Sequence, residues 1–183
     1  MLRNRLIRKD EGFTLVELMV VVLIIAILLA IAIPTFLGAR SRAQNRAAES
    51  HLRNGLTAEK TVYTDAQAYS ATAGTMSAAE PSLNWVTAAP SGATDVEISL
   101  PDTTAGMTSN VICLRGKSAS GTFFAIEDVA QTDAAYGASG TFYGSNPSVN
   151  VTCPTANAAG SPVTYTGPAG TDVWSTTTSV ALW

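Results

Sequence analysis

The sequence predicts an α+β protein in which a long N-terminal helix packs on an antiparallel β-meander head. An unbroken apolar run lies near the N-terminus. An amphipathic helical pattern follows it, and short strand-like segments with turn residues between them fill the remainder. We therefore divide the 183 residues into a basic leader, an apolar helix, an amphipathic helix and a β-rich head, at 1–12, 13–37, 38–64 and 65–183.

The apolar helix has the length of a membrane span. Leu18 to Leu37 is twenty residues long, which corresponds to about 30 Å of helix and matches the hydrocarbon thickness of a bilayer. Four basic residues precede this run, but three arginines follow it closely, so charge only weakly favours a cytoplasmic N-terminus. A cleaved secretory signal is the alternative, although no clean Ala-x-Ala site follows the run.

Glu17 places a carboxylate at the start of this apolar segment. A charge at membrane depth costs about 2.5–3.5 kcal/mol on insertion scales, so it requires an explanation. The simplest is an interfacial acid, since the positive end of the helix dipole lies there. The alternative is a specific partner, and the candidate is the α-amino group that cleavage between Gly12 and Phe13 creates.

The N-terminus resembles that of type IV prepilins. The resemblance rests on a short basic leader, Gly12, the stretch Phe13-Thr14-Leu15-Val16-Glu17 and the unbroken apolar helix. It implies that a prepilin peptidase cleaves between Gly12 and Phe13 and methylates the new N-terminal Phe13. It also implies an assembly salt bridge between Glu17 and the Phe13 ammonium group of a neighbouring subunit.

The resemblance extends to about residue 40. Pro34 falls where many members of the family have a proline that kinks the helix, and Gly38 follows it. Type II secretion pseudopilins share this N-terminus. Many pseudopilins also have an acidic calcium-binding loop near the C-terminus, where this sequence has only Asp172. That difference favours a pilin over a pseudopilin.

The resemblance implies a structural protein that assembles into a homo-oligomeric helical filament outside the cell. Its partners would be prepilin peptidase, the pilus assembly machinery of the inner membrane and, before assembly, the membrane itself. One alternative is a minor pilin or secretion-type pseudopilin. Another is a membrane-anchored binding domain that never polymerises, which leaves the coincidence of Gly12, Phe13 and Glu17 unexplained.

The amphipathic helix is predicted from spacing. Ala48, Leu52 and Leu56 recur every four residues, and basic residues follow the opposite face. Asn54-Gly55 is a turn signal that weakens the helical pattern locally. The helix as a whole is predicted to run from Phe13 to about Thr64.

The head is predicted to be a β-meander. Alternating or β-rich segments predict strands at 96–100, 110–115, 122–130 and 141–143, with less regular candidates at 148–153 and 162–166. Residues 65–95 are predicted to form a loop region with a short helix near 77–80, anchored to the core by Trp85 and Val86.

Cys113 and Cys153 are the two cysteines. A disulfide is expected if the head is exported, and two buried free thiols are the alternative. His51 is the only histidine, so we expect no metal site, no cofactor and no enzymatic activity. Beyond residue 64 there are two basic and nine acidic residues, a formal charge of −7, so we expect no direct nucleic-acid binding.

Overall fold

The computed structural model of the protein describes residues 12–100, 110–131, 139–147, 151, 153 and 173–175. These residues form two helices, α1 (Leu15–Ala66) and α2 (Ala73–Ala79), and one six-stranded sheet. The strands follow one another across the sheet in chain order: β1 Asn84–Val86, β2 Asp95–Ser99, β3 Val111–Lys117, β4 Phe123–Val129, β5 Gly140–Asn146 and β6 Val173–Ser175. The predicted α+β class is confirmed.

The chain divides into two compact units, residues 1–40 and residues 41–183. The first half of α1 belongs to the first unit. The second half of α1 belongs to the second unit, together with α2 and the sheet. The boundaries predicted from the sequence at residues 12, 37 and 64 remain predictions.

The predicted long helix is confirmed, and it is 52 residues long. It continues through Asn54-Gly55, so this dipeptide does not form a turn. Gly55 is buried, and a Cβ atom added there would lie 3.2 Å from Cη2 of Trp85 and 3.4 Å from Cδ1 of Leu114. The glycine is therefore explained by the close approach of the helix to the sheet.

Helix α1 ends where the backbone turns left-handed. Gln67 has a φ of 54°, and its N–H group donates to the carbonyl oxygen of Tyr63 at 2.7 Å. A left-handed residue just past a helix end is a common way to terminate it and to satisfy its last carbonyl groups. The chain then passes through residues 67–72 into α2, which lies close to the short helix predicted at 77–80.

The sheet is antiparallel from β2 to β6, but β1 pairs with β2 in parallel, with Trp85 opposite Val96. The predicted antiparallel meander is confirmed, and β1, which was not predicted as a strand, adds a parallel pair at one edge. A strand of three residues is too short to show alternation, and residues 65–95 are rich in small residues and proline. Strand β6 was missed for the same reason, since it also has three residues.

The four strands predicted with regular spacing are confirmed as β2, β3, β4 and β5. Strand β5 extends from Gly140 to Asn146, beyond the predicted 141–143, because its whole length pairs with β4. Its residues Gly144 and Ser145 have no strand signal of their own. Val151 and Cys153 lie outside any strand, whereas 148–150 and 162–166 lie outside the described residues.

One face of the sheet packs on the second half of α1. Ile98, Leu114 and Ile126 lie opposite one another across β2, β3 and β4, which confirms the period of two in these strands. They contact Leu52 and Leu56 of the helix in one apolar core. Since each fully buried aliphatic side chain contributes roughly 1.5–3 kcal/mol, this face supplies most of the stability of the head.

We expect substitution of Gly55 by leucine to destabilise the head. The added side chain meets Trp85, Leu114 and Val96, and overpacking of this kind lowers the free energy of unfolding by about 1–3 kcal/mol. Gly74 of α2 is the matched control, because an added Cβ has no neighbour within 4 Å there. Gly74→Ala should stabilise the protein by about 0.5–1 kcal/mol. Thermal unfolding of both variants, followed by circular dichroism, tests this; equal melting temperatures would contradict it.

Candidate functional site

The first turn of α1 is built around Thr14. Its hydroxyl oxygen accepts the N–H of Glu17 at 3.2 Å, and its carbonyl oxygen accepts the N–H of Leu18 at 3.2 Å. Thr14 is therefore the N-cap, and Glu17 is the acidic residue of the first turn. The spacing Thr-x-x-Glu is that of a capping box, so the sequence contained this signal and our sequence analysis missed it.

The cap offsets only part of the cost of placing Glu17 beside an apolar segment. A carboxylate near a helix N-terminus gains about 0.3–1 kcal/mol from the dipole. A charge at membrane depth costs about 2.5–3.5 kcal/mol at the helix centre. An interfacial position lowers this cost. The cap bonds the backbone N–H of Glu17 and not its carboxylate, and no ion pair to that carboxylate occurs among the described residues.

The first half of α1 exposes apolar side chains all round. Phe13 is 77% exposed and Phe36 68%, and no residue of the most apolar 18-residue window is buried within the chain. Among the described residues, α1 is the one helix long and apolar enough to cross a membrane. A helix that is apolar on every side requires lipid or other protein chains to cover it.

Gly12 and Pro34 occupy different surroundings. A Cβ at Gly12 would have no neighbour within 4 Å, so packing in this structure does not explain the glycine.

Pro34 lies inside α1, which continues past it. Next to it, the Thr35 hydroxyl donates to the carbonyl oxygen of Ile31 at 3.0 Å. A bend at Pro34 and Gly38 remains a prediction.

Most of the acidic residues that the structure describes in the head are buried. Of the six described acids beyond residue 64, Asp95, Glu97, Glu127 and Asp128 are buried, Glu80 is half-buried and Asp65 is exposed. Glu97 pairs with Arg115, and Asp128 pairs with Lys60 at 2.9 Å. The formal charge of −7 therefore overstates the negative charge on the surface, which the sequence could not reveal.

Asp128 joins three parts of the head. It accepts hydrogen bonds from Tyr69 in the turn after α1 and from Thr141 on β5, besides its ion pair with Lys60 of α1. Burial raises the pKa of Tyr69, and the bond to Asp128 raises that pKa further, so Tyr69 stays a hydrogen-bond donor. An open groove of about 420 Å³ lies beside this cluster.

Cys113 and Cys153 form a disulfide bond on the face of the sheet away from α1. The bond closes a loop over a sequence separation of 40 residues, worth roughly 3–4 kcal/mol in the chain-entropy model. The Arg115 guanidinium donates to the carbonyl oxygen of Val151 at 3.3 Å. The disulfide and this hydrogen bond hold Val151 and Cys153 against β3.

Glu127 is a buried acid on the same face, directly opposite Cys113. Neither of its carboxyl oxygens has a hydrogen-bond partner among the described residues. Burial raises its pKa to about 8. The alternation of side chains along the strand puts Glu127 on the same face as Ala125 and Phe123. The sequence therefore contained a signal for its position.

His51 and the acids do not combine into a catalytic or metal site among the described residues. Nδ1 of His51 lies 3.3 Å from the carbonyl oxygen of Ala93, so the ring contacts the backbone of a loop. His51 is half-buried, not fully solvated as expected for a helix-face residue. No group of three His, Cys, Asp or Glu residues within this part of the chain lies close enough to hold a metal ion.

Comparison with known proteins places the first turn of α1 within a recognised N-terminal methylation motif. A family model described as the prokaryotic N-terminal methylation motif matches residues 7–33, which include Gly12, Phe13 and Glu17. The chain carries the prokaryotic N-terminal methylation motif. Its first-turn geometry and its exposed apolar helix therefore belong to one recognised N-terminal segment.

Two curated proteins are similar to part of the chain. The type IV major pilin protein PilA of Myxococcus xanthus is 44% identical over 62 residues, 34% of this chain and 28% of that protein. The type IV wide pilus major component PilA4 of Thermus thermophilus is 39% identical over 62 residues, 34% of this chain and 47% of that protein. The matches thus span less than half the length of these relatives. No solved structure matches the chain significantly.

We expect Glu127→Gln to remove a pH dependence of stability. The folded pKa of about 8 lies above the ordinary value of 4.5. The stabilisation by the neutral carboxyl group is therefore complete below about pH 4.5 and is lost as the pH rises through about 8. Between about pH 6 and pH 9 the wild-type protein should lose roughly 2 kcal/mol more than the variant.

Urea unfolding of both proteins at the two pH values measures this difference. Glu80→Gln is the control, because hydrogen bonds from Ser82 lower the Glu80 pKa. Glu80 is therefore charged throughout the interval, and the variant should differ from wild type equally at both pH values. A parallel pH response of wild type and Glu127→Gln would contradict the prediction.

Proposed function

We propose that this protein is a structural subunit of a type IV pilus, most simply a major subunit, without catalytic activity. The observation that carries the proposal is the methylation motif at 7–33, which coincides with a capped acidic first turn and an apolar helix exposed on every side. The two partial relatives support it, since both are named as major components of type IV pili.

Processing is the first step of the proposed mechanism. Prepilin peptidase cleaves the peptide bond between Gly12 and Phe13, which releases the basic leader and leaves Phe13 with a free α-amino group. Methylation of that amine follows. Gly12 and Phe13 both precede α1, so the scissile bond lies outside the regular helix, where helical hydrogen bonds do not shield it from a peptidase.

Assembly is the second step. Before assembly the first half of α1 lies in the membrane. In the filament, the same apolar surface packs on copies of itself. Transfer between these two environments keeps the apolar side chains out of water, so the hydrophobic effect opposes release of the subunit into solution at either stage.

The Phe13 ammonium group of a neighbouring subunit supplies the cation that Glu17 lacks. At a separation of about 4 Å and an effective dielectric constant near 20, an ion pair contributes about 4 kcal/mol before desolvation costs. Either charge alone in an apolar bundle is unfavourable, so an incorrect register between subunits is penalised. The pair thus selects the axial position of each incoming subunit.

In this proposal the head forms the outer surface of a filament on the cell exterior. The filament would serve adhesion, motility or DNA uptake. The disulfide between Cys113 and Cys153 suits an oxidising exterior. The burial of most described acids means that the head presents a less negative surface to ligands than its formal charge suggests.

Mass spectrometry of filaments sheared from the cell surface tests the identity of the subunit. We expect the dominant species to begin at methylated Phe13, because cleavage and methylation precede assembly in the proposed mechanism. A trace amount in filaments, with most mature protein in the membrane, would indicate a minor pilin or pseudopilin. Protein that retains residues 1–12 and stays in the membrane would contradict the proposal.

We expect Glu17→Ala to be processed and inserted normally but to give at least tenfold fewer filaments, because the Phe13 ammonium group then lacks its anion. Thr14→Ala is the matched control. It removes the cap hydrogen bond to the N–H of Glu17, costs about 1 kcal/mol of helix stability and leaves the carboxylate available for pairing. Electron microscopy counts filaments, and immunoblotting measures processing. Normal filament numbers from Glu17→Ala would exclude the salt bridge.

A further inference from the structure

Glu59 is an acid inside the apolar core of the head. It follows Leu52 and Leu56 by seven and three residues on α1 and is fully buried, with 0% exposure. One carboxyl oxygen accepts the N–H of Ser70 at 3.1 Å. The other oxygen has no hydrogen-bond partner among the described residues. A buried carboxyl group with a single partner is costly in its charged form.

No described cation compensates for this charge. Lys60, the next residue along α1, pairs with Asp128. Three elements contribute titratable side chains around this part of the core. They are Lys60 and Tyr63 from α1, Tyr69 from the turn, and Asp128 and Tyr143 from the sheet face beneath α1. Helix α2 contributes none, since its sequence is Ala-Gly-Thr-Met-Ser-Ala-Ala. The negative charge of Asp128 and the hydroxyl groups of the tyrosines leave an ionised Glu59 without an ion-pair partner.

The segment that contacts Glu59 is the turn at residues 67–72. Gln67 starts it in a left-handed conformation. Several interactions hold it against the rest of the head. The N–H of Ser70 bonds to Glu59, and the hydroxyl of Tyr69 bonds to Asp128. The buried ring of Tyr69 also packs against Tyr63, with 4.7 Å between the ring centroids. Helix α2 follows the turn, and its residue Met76 is buried in the core. Local opening of the turn would bring water to Glu59 without disrupting the strand pairing of the sheet.

We propose that Glu59 is a proton-operated latch. The turn at 67–72 stays closed over its buried carboxyl group while the group is protonated, and opens when the group loses its proton. The geometry points to this because the turn contacts the carboxyl group and lies between α1 and α2, outside the strand pairing of the sheet. Ionisation inside the closed core leaves a charge with one hydrogen bond, whereas an open turn lets water solvate that charge.

The expected pH range is close to neutrality. Burial raises the pKa of Glu59 to about 7, and the hydrogen bond from Ser70 only partly opposes this. The ordinary value is 4.5. The closed turn is therefore most stable below about pH 4.5, and this stabilisation is lost as the pH rises through about 7. The conformation of the surface formed by the turn and α2 thus depends on pH, whatever the function of the whole chain.

Hydrogen–deuterium exchange of the mature full-length protein in detergent micelles tests the proposal. Exchange at about pH 6 and about pH 8.5, corrected for intrinsic chemical exchange, reports the opening equilibrium of each segment. For a group whose pKa changes from about 7 to about 4.5 on opening, the opening constant should rise about tenfold between these pH values. We expect this rise in peptides that cover 67–79, at an opening free energy that stays below that of peptides that cover β3.

Glu59→Gln keeps the shape of the side chain and the acceptor for Ser70, but it has no proton to lose. Its exchange at 67–79 should not change between the two pH values. Glu127→Gln is the matched control, because it neutralises a different buried acid on the other face of the sheet and should retain the tenfold change. An equal rise in wild type and Glu59→Gln would overturn the proposal.

Measurements on the wild-type protein alone are also decisive if Glu59→Gln does not fold. A pH series should show opening of 67–79 that increases with pH and levels off above about pH 8. Constant protection across this range would overturn the latch. Equal opening free energies for 67–79 and β3 at every pH would also overturn it, because 67–79 would then exchange only through global unfolding.

Discussion

The structure depends on one constraint: the first half of α1 is apolar on every side, and no described residue covers it. A surface of that kind must lie in lipid or against other chains, and it makes any charge at its edge costly. Glu17 lies at that edge. The cap by Thr14 satisfies its backbone N–H, and the helix dipole stabilises its carboxylate in part. In the proposed function a cation from a neighbouring subunit supplies the rest. Processing at Phe13 is the chemistry that would create one.

The second half of α1 obeys a different constraint, because one of its faces is buried against the sheet. Leu52 and Leu56 fill the space between helix and strands, and Gly55 lets the helix approach Trp85 closely. Acids also occupy this interior. Asp128 is compensated by Lys60, Tyr69 and Thr141, whereas Glu59 has one backbone hydrogen bond. Between α1 and the sheet, Asp128 is therefore a compensated carboxylate, whereas the carboxyl group of Glu59 stays buried most readily when neutral.

Much of the fold could be predicted from the sequence because the relevant signals are local and periodic. Strands β2 to β4 alternate with period two, and the buried stripe of α1 repeats every four residues. Strands β1 and β6 could not be predicted, because three residues do not define a period and their pairing comes from distant segments. Of the site residues, the Thr14 cap had a local signal that was missed. The surroundings of Glu59 had none, since Ser70 and Tyr69 reach it only through the turn.

The sequence by itself determined the apolar helix, its acidic first turn, the processing motif around Gly12 and Phe13, and the α+β class. These are properties of contiguous residues, and chain neighbours are enough to specify them. Only the tertiary structure decided which acids are buried, which cations meet them, why residue 55 is glycine, and how Cys153 is held against β3. These features depend on contacts between residues that are far apart in the chain, and burial changes the energy of a charged group more than its immediate neighbours in the sequence do.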